Sequence, residues 1–388
     1  MIHLPAHLDE VSSFQAVEIF QAAKALEAQG RSVIHLEFGE PDFPTPEPIH
    51  QAAVRALGEG KTRYCHSMGI PEFREVIADY HNRKYGLELS PDRILVSMGT
   101  SLLMQLLMLL LLDKGDQVVL TDPTYACYAN FVRIAGGEPV FVPIREEDGF
   151  QPDPEAVRRA ITPRTRAIVV CSPSNPTGVV LRPEVMRGLA ALGVPVISDE
   201  IYHGLTYGGA EQSILGITDH AFVLNGFSKY FAMTGWRLGY LIFPRPLLPA
   251  VMKLHQNVMI SANEFIQYAG IAAMNEAVPI CEEYRREYDR RRLFLVQRLA
   301  EIGLPLQYEP SGAFYCFANA SRYGSDSIAL AKDILERTGV ALTPGVDFGP
   351  GGEGYLRFSY ANSMENIGEA LDRLEDYLKS REAKRSTG

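Results

Sequence analysis

Short apolar runs recur along the middle of the chain, at 94–97, 117–120, 140–142, 167–171, 194–198, 222–224 and 238–243, each separated from the next by a polar turn or a helix-length connection. Runs this short, and apolar throughout, suit strands buried on both faces; helix-length spacers between them predict an α/β fold with a large, mostly parallel sheet of seven strands covered by helices. Upstream, Phe14, Val17, Ile19, Phe20, Ala23 and Leu26 fall at roughly helical spacing over 14–29, and Gly30 stops that helix. The stretch 33–38 reads as a strand entering the loop Gly39-Glu40-Pro41-Asp42-Phe43. From 281 to 300 a highly charged helix with an apolar stripe leads into a smaller α+β region, with a helix near 328–338, a glycine-rich loop at 345–354, an apolar segment at 355–360 and a last helix over about 364–378. The polar tail 379–388 is expected to fray. The division that follows is 1–44 as an N-terminal arm and part of a small domain, 45–285 as the large domain, and 286–388 as the C-terminal small domain.

Composition narrows the class. The chain has 388 residues, 46% hydrophobic and 22% charged, enough for a sizeable core in two lobes. A formal net charge of −10 with no long basic run excludes nucleic acid as an expected partner. The five cysteines (Cys65, Cys127, Cys171, Cys281, Cys316) are scattered and form no C-x-x-C pair, which points to reduced thiols in a cytoplasmic protein and to no metal site. The first ten residues lack the basic and apolar regions of a signal peptide, and the most apolar run, 102–112, is too short to span a bilayer.

The unusual polar residues lie just beyond the predicted strands, where open α/β sheets bind ligands. Lys229 follows the run at 221–224, and a partly desolvated amine there is suited to Schiff-base chemistry with a carbonyl cofactor. Eight residues on, Arg237 offers a planar cationic fork for a phosphate, so the pair suggests pyridoxal phosphate. Gly99-Thr100-Ser101 opens a helix directly after a strand and makes an anion site from free N–H groups. Asp199 is the candidate partner of the cofactor's pyridine nitrogen, Asn175 and Tyr202 of its phenolic oxygen, and Tyr125 stacks on the ring. Gly39 permits close backbone approach, and Arg357, in an otherwise apolar segment, calls for a carboxylate. Singly, each has a plain reading: turn residues, surface charges or, for Arg357, an internal salt bridge.

Together the ordered motifs Gly39-Glu-Pro-Asp-Phe43, Asn175-Pro-Thr-Gly178, Asp199-Glu-Ile-Tyr202, Ser228-Lys229 and Leu356-Arg-Phe-Ser359 resemble the class I/II pyridoxal-phosphate-dependent aminotransferases of fold type I, the aspartate aminotransferase-like group. The resemblance runs nearly end to end. It implies Lys229 as the Schiff-base lysine, Thr100, Ser101, Ser228 and Arg237 around the phosphate, and Gly39 and Arg357 at the substrate α-carboxylate. It further implies a homodimer with shared active sites, Tyr64 reaching the phosphate of the neighbouring subunit. Two departures stand out. Gly226 sits three before the lysine, where many relatives carry a phosphate-binding hydroxyl, which leaves that task to Ser101 and Ser228. No arginine occurs between Arg245 and Arg285, and position 101 is serine where certain bacterial relatives use lysine, so an acidic main donor is in doubt.

The expected activity is ping-pong transfer of an amino group from an L-amino acid to a 2-oxo acid, with Lys229 moving the α-proton. A carbon–sulfur β-lyase on the same fold remains the alternative. An aminotransferase-like sensor module of a transcription regulator is not expected, because the few tens of residues before Gly39 are too short for a fused DNA-binding domain.

Overall fold

In the computed structural model, which describes residues 6–209 and 211–386, the apolar runs become one sheet. After the two-residue strand β1 (Ile34–His35) come β2 (Ile94–Ser97), β3 (Gln117–Asp122), β4 (Glu138–Pro143), β5 (Thr165–Cys171), β6 (Val196–Asp199), β7 (Ala221–Gly226) and β8 (Gly239–Ile242). The last seven form the large sheet in the order β2-β8-β7-β6-β5-β3-β4. All are parallel except β8, which runs antiparallel to both β2 and β7. Every residue of β2, β6, β7 and β8 is buried, as the unbroken apolar runs require of a sheet covered on both faces. The antiparallel β8 matters for chemistry. Its N-terminal end lies at the edge where the other strands end, so the loop from β7 to β8 returns to that edge at once.

Around this sheet the helices start and stop where local chemistry dictates. Pro71–Tyr85 has proline in its first turn and ends on Gly86 in the left-handed conformation, φ 67°. Thr100–Leu111 packs Leu103, Met104, Leu106, Leu107 and Met108 into the core, and its first residue follows Gly99 at φ 82° with no side-chain cap. Its N-terminal N–H groups therefore remain for a ligand.

The charged connector is a continuous helix, Val278–Glu301. Beyond it, β9 (Tyr315–Asn319), β10 (Val340–Ala341), β11 (Thr343–Pro344) and β12 (Tyr355–Ser359) complete the strands. β11, β12 and β9 form an antiparallel sheet that sets Arg357 opposite Thr343 and Phe317. β10 pairs in parallel with β1.

Two elements differ from the sequence reading. The strand expected over 33–38 shrinks to Ile34–His35, because the next main-chain groups are taken across the small sheet: Ser359 N–H donates to Leu36 O (2.8 Å) and Thr343 Oγ1 to Glu37 O (2.9 Å). The last helix runs Met364–Ser386, through most of the tail expected to fray. Its charges find partners: the Tyr377 hydroxyl donates to Asp333 Oδ2 (2.5 Å), Arg381 to the same oxygen (3.1 Å), and Lys379 pairs with Glu375 (2.6 Å). The residues read for a leader, 1–5, and the tail residues 387–388 lie outside the described part. Among the described residues no helix is long and apolar enough to cross a membrane.

Candidate active site

A cleft of about 310 Å³ opens at the C-terminal edge of the large sheet. It gathers Gly39, Thr100, Ser101, Tyr125, Asn175, Asp199, Tyr202, Ser228, Lys229, Arg237 and Arg357 from eight separate segments. Gly99 sits just behind: a Cβ there would stand 2.6 Å from Arg237 Nη2, so only glycine lets the guanidinium close on the helix N-terminus. Tyr64 is not in this cleft. The residue is 79% exposed.

Asp199 ends β6 and is buried. The Tyr128 hydroxyl donates to its Oδ2 (2.6 Å) and Ile201 N–H to its Oδ1 (3.1 Å). Burial outweighs these bonds and pushes its pKa up to about 6. Lys229 lies just past β7, its amine donating to Gly39 O and standing 5.8 Å from the centre of the Tyr202 ring. Burial first, and then the Arg357 guanidinium, lower its pKa to about 8. About a tenth of the amine is therefore free base at pH 7, far more than for an ordinary lysine.

The anion end is built by close backbone packing. Gly226 of β7 pairs with Gly239 of β8, and a Cβ on Gly226 would meet Gly239 Cα and Leu238 O at 3.0 Å each. A Cβ on Gly239 would meet Gly99 and Thr100 N, also at 3.0 Å. This glycine layer seats the Gly99–Thr100 turn against the sheet and gives a physical reason why no hydroxyl-bearing residue stands at 226. Arg237 adopts the left-handed conformation, φ 54°, and donates to Thr234 O (3.2 Å). Ser228 is buried beside it, whereas Ser101 is exposed at the rim.

Arg357 is 2% exposed and, among the described residues, its hydrogen bonds go to neutral groups. Its Nη1 donates to Asn175 Oδ1 (2.9 Å), its Nη2 to Glu37 O and Thr343 Oγ1, and its guanidinium lies over the Tyr315 ring at 4.4 Å. Nε has no hydrogen-bond partner among the described residues. The internal salt bridge considered for this residue is thus not what holds it; a buried cation held only by neutral groups is poised for an incoming carboxylate. With its Oδ1 engaged, Asn175 has its amide N–H₂ left to donate into the cleft.

Residues 31–374 match the family model for aminotransferase class I and II. The chain belongs to this family. Among its relatives, the aspartate/prephenate aminotransferase of Thermus thermophilus is 43% identical over 92% of this chain and 94% of its own length. The (5-formylfuran-3-yl)methyl phosphate transaminase of Methanocaldococcus jannaschii is 40% identical over 97% and 99%. The solved structure of Thermus thermophilus aspartate aminotransferase with maleate superposes with a TM-score of 0.92 at 40% identity, covering 97% of this chain and all of that one. The protein is an enzyme, an aminotransferase of fold type I, and its reaction is transamination.

Several aminotransferase-cleft residues escaped the sequence reading. Tyr128, one helical turn after Tyr125, supplies the bond to Asp199, and Tyr315 bonds the Tyr202 hydroxyl (2.8 Å). Tyr315 lies in the apolar run 312–317, and only the fold of the small sheet directs it at the cleft. Glu37, Phe38, Glu40, Phe14 and Thr234 also line the cleft, and nothing in local spacing marks them.

Proposed function

We propose that this aminotransferase binds pyridoxal 5′-phosphate in the cleft, with Lys229 as the amine that reacts with it. The observation that carries the reading is the pairing, in one cleft, of an amine lowered to about 8 with a buried carboxylate raised to about 6, beside a cationic helix N-terminus. When bound, the cofactor supplies an aldehyde that condenses with amines and a ring that accepts electrons from the substrate's α-carbon.

Each residue then has a task. Asp199 would hold the cofactor's ring nitrogen in its protonated form, a cationic partner offsetting the burial that raises the carboxylate's pKa. Asn175 and Tyr202 donate to the phenolic oxygen, and Tyr125 covers a ring face. The N–H groups at Thr100, the Ser101 and Ser228 hydroxyls, and Arg237 take the phosphate, with Gly99 allowing Arg237 to approach. Arg357 and Gly39 receive the substrate α-carboxylate. Lys229 would hold and move the substrate's α-proton at its Nζ. Release of a 2-oxo acid ends the first half, and a second oxo acid reverses it.

The reading extends to a homodimer, with the exposed Tyr64 reaching the phosphate site of the second subunit and with Val54 and Leu57, 64% and 47% exposed, as neighbouring apolar surface. It also keeps the division at 1–44, 45–285 and 286–388, supported by the pairing of β1 with β10. A cytoplasmic location is supported by five free cysteines. The test is Lys229→Ala. The variant is expected to hold the cofactor yet lose turnover; activity within about tenfold of wild type removes the assignment, since a nucleophile that is also the base carries several decades of rate.

A further inference from the structure

Glu37 is 0% exposed and lies on the wall of the cleft. Its main-chain carbonyl is the anchor on which Arg357 Nη2 and Thr343 Oγ1 both rest. Its side chain points to a different partner. Oε1 lies 2.7 Å from His35 Nδ1, and Oε2 has no hydrogen-bond partner among the described residues. The other ring nitrogen of His35 is 3.1 Å from Glu27 Oε1, and Glu27 Oε2 is 2.8 Å from Lys24 Nζ. Charges alternate from solvent to the cleft wall: Lys24, Glu27, His35, Glu37.

We propose that this chain positions Arg357, so that the ionised His35–Glu37 pair holds the Glu37 carbonyl, and through it the guanidinium, in the geometry that binds the substrate α-carboxylate. The inference rests on the reading of Arg357 given above. A buried carboxylate without a charged partner is costly. When His35 loses its proton, the buried Glu37 side chain loses its charged partner, and a shift of that side chain carries its carbonyl with it.

The groups around the pair leave His35 in control. Helix Gln15–Ala28 presents Glu27, Lys24 and the Phe20 ring, 5.7 Å from the imidazole. From the segment after β12, Asn362 donates to His35 O (2.9 Å), and the small sheet contributes Thr343 and Arg357. The bond to Glu37, ahead of the opposing burial, raises the pKa of His35. A raised histidine is cationic below its folded pKa, so the pairing is fully present below the ordinary histidine value and is lost as pH rises through the raised one.

The test is kcat and KM for one amino-acid donor, measured on the cofactor-loaded enzyme from pH 6 to 10, for wild type, His35→Gln, Glu27→Gln and Arg357→Lys. Wild type is expected to show KM rising roughly fivefold across the His35 ionisation, the factor one net hydrogen bond represents. His35→Gln is expected to have the higher KM at every pH, without that step, and a kcat within about twofold of wild type, the signature of a binding effect. Glu27→Gln, an exposed change that serves even if His35→Gln does not fold, should move the step to lower pH. A wild-type KM profile in His35→Gln, or an unmoved step in Glu27→Gln, overturns the proposal. Arg357→Lys separates the two layers. If it leaves KM unchanged, the Arg357 reading itself fails; if it raises KM while the other variants match wild type, only the positioning role fails.

Discussion

Asp199→Asn removes one charge from the cleft and almost nothing else. The carboxylate is buried at the end of β6, held by the Tyr128 hydroxyl at 2.6 Å and Ile201 N–H at 3.1 Å. An asparagine of the same shape keeps an oxygen for one of these donors, so packing survives while the partner of a protonated ring nitrogen disappears. Breaking a buried, hydrogen-bonded charge pair from one side costs roughly 3–5 kcal/mol. At about 1.4 kcal/mol per decade this is a loss of about 10²–10⁴ in the rate of the half-reaction. The assay is a single turnover with one amino acid at pH 8, followed by cofactor absorbance, with cofactor content and thermal unfolding as controls. Cofactor should be retained and the unfolding temperature should move by only a few degrees, since no cavity opens. A half-reaction within tenfold of wild type would refute the assignment of Asp199 to the ring nitrogen. The sign of the pH effect follows from the same burial. A carboxylate raised to about 6 is ionised above that value, so cofactor uptake by the stripped protein should weaken as pH falls below it.

Three further outcomes test other parts of the cleft. Because burial and Arg357 lower Lys229 to about 8, and only the free amine attacks an aldehyde, cofactor uptake by the stripped enzyme should speed up about tenfold per pH unit below 8 and level off above it; a flat rate from pH 6.5 to 9.5 would contradict the lowered pKa. Gly39→Ala places a Cβ 2.1 Å from the Tyr315 hydroxyl, which must shift and carry the bonded Tyr202 with it; an overpacking cost of about 1–3 kcal/mol and at least a tenfold fall in kcat/KM are expected, and wild-type kinetics would show that the wall yields freely. Arg357→Lys loses the planar fork, so KM for the donor should rise about tenfold or more with the cofactor spectrum unchanged; an unaltered KM would place the α-carboxylate elsewhere.

Short-range pattern made the large sheet readable. Most strands are runs apolar on both faces, Asp199 ends its strand, and Asn175 and Lys229 follow theirs within a few residues, so finding the strands found the edge. Contacts far apart in sequence were not readable. Tyr315 meets Tyr202 across 113 positions and Glu37 meets Arg357 across 320, and no local spacing encodes either. Nor did the tail's composition reveal its helix, because Tyr377 and Arg381 are held by Asp333 on another element. Gly226 was legible only as a missing hydroxyl; the reason, a glycine layer of β7, β8 and the Gly99 turn, needs the packed sheet. Tyr64 points the other way: the motif marked it, but one chain gives it no role.

The most direct test of the account is a half-reaction on the cofactor-loaded protein: single amino acids are added without any oxo acid, the cofactor absorbance is followed, and the products are identified. Transamination predicts loss of the absorbance with one equivalent of 2-oxo acid per site and then no further change. Continued release of ammonia and pyruvate from a cysteine conjugate, with no stoichiometric stop, would contradict it and make carbon–sulfur bond cleavage the reaction of this cleft.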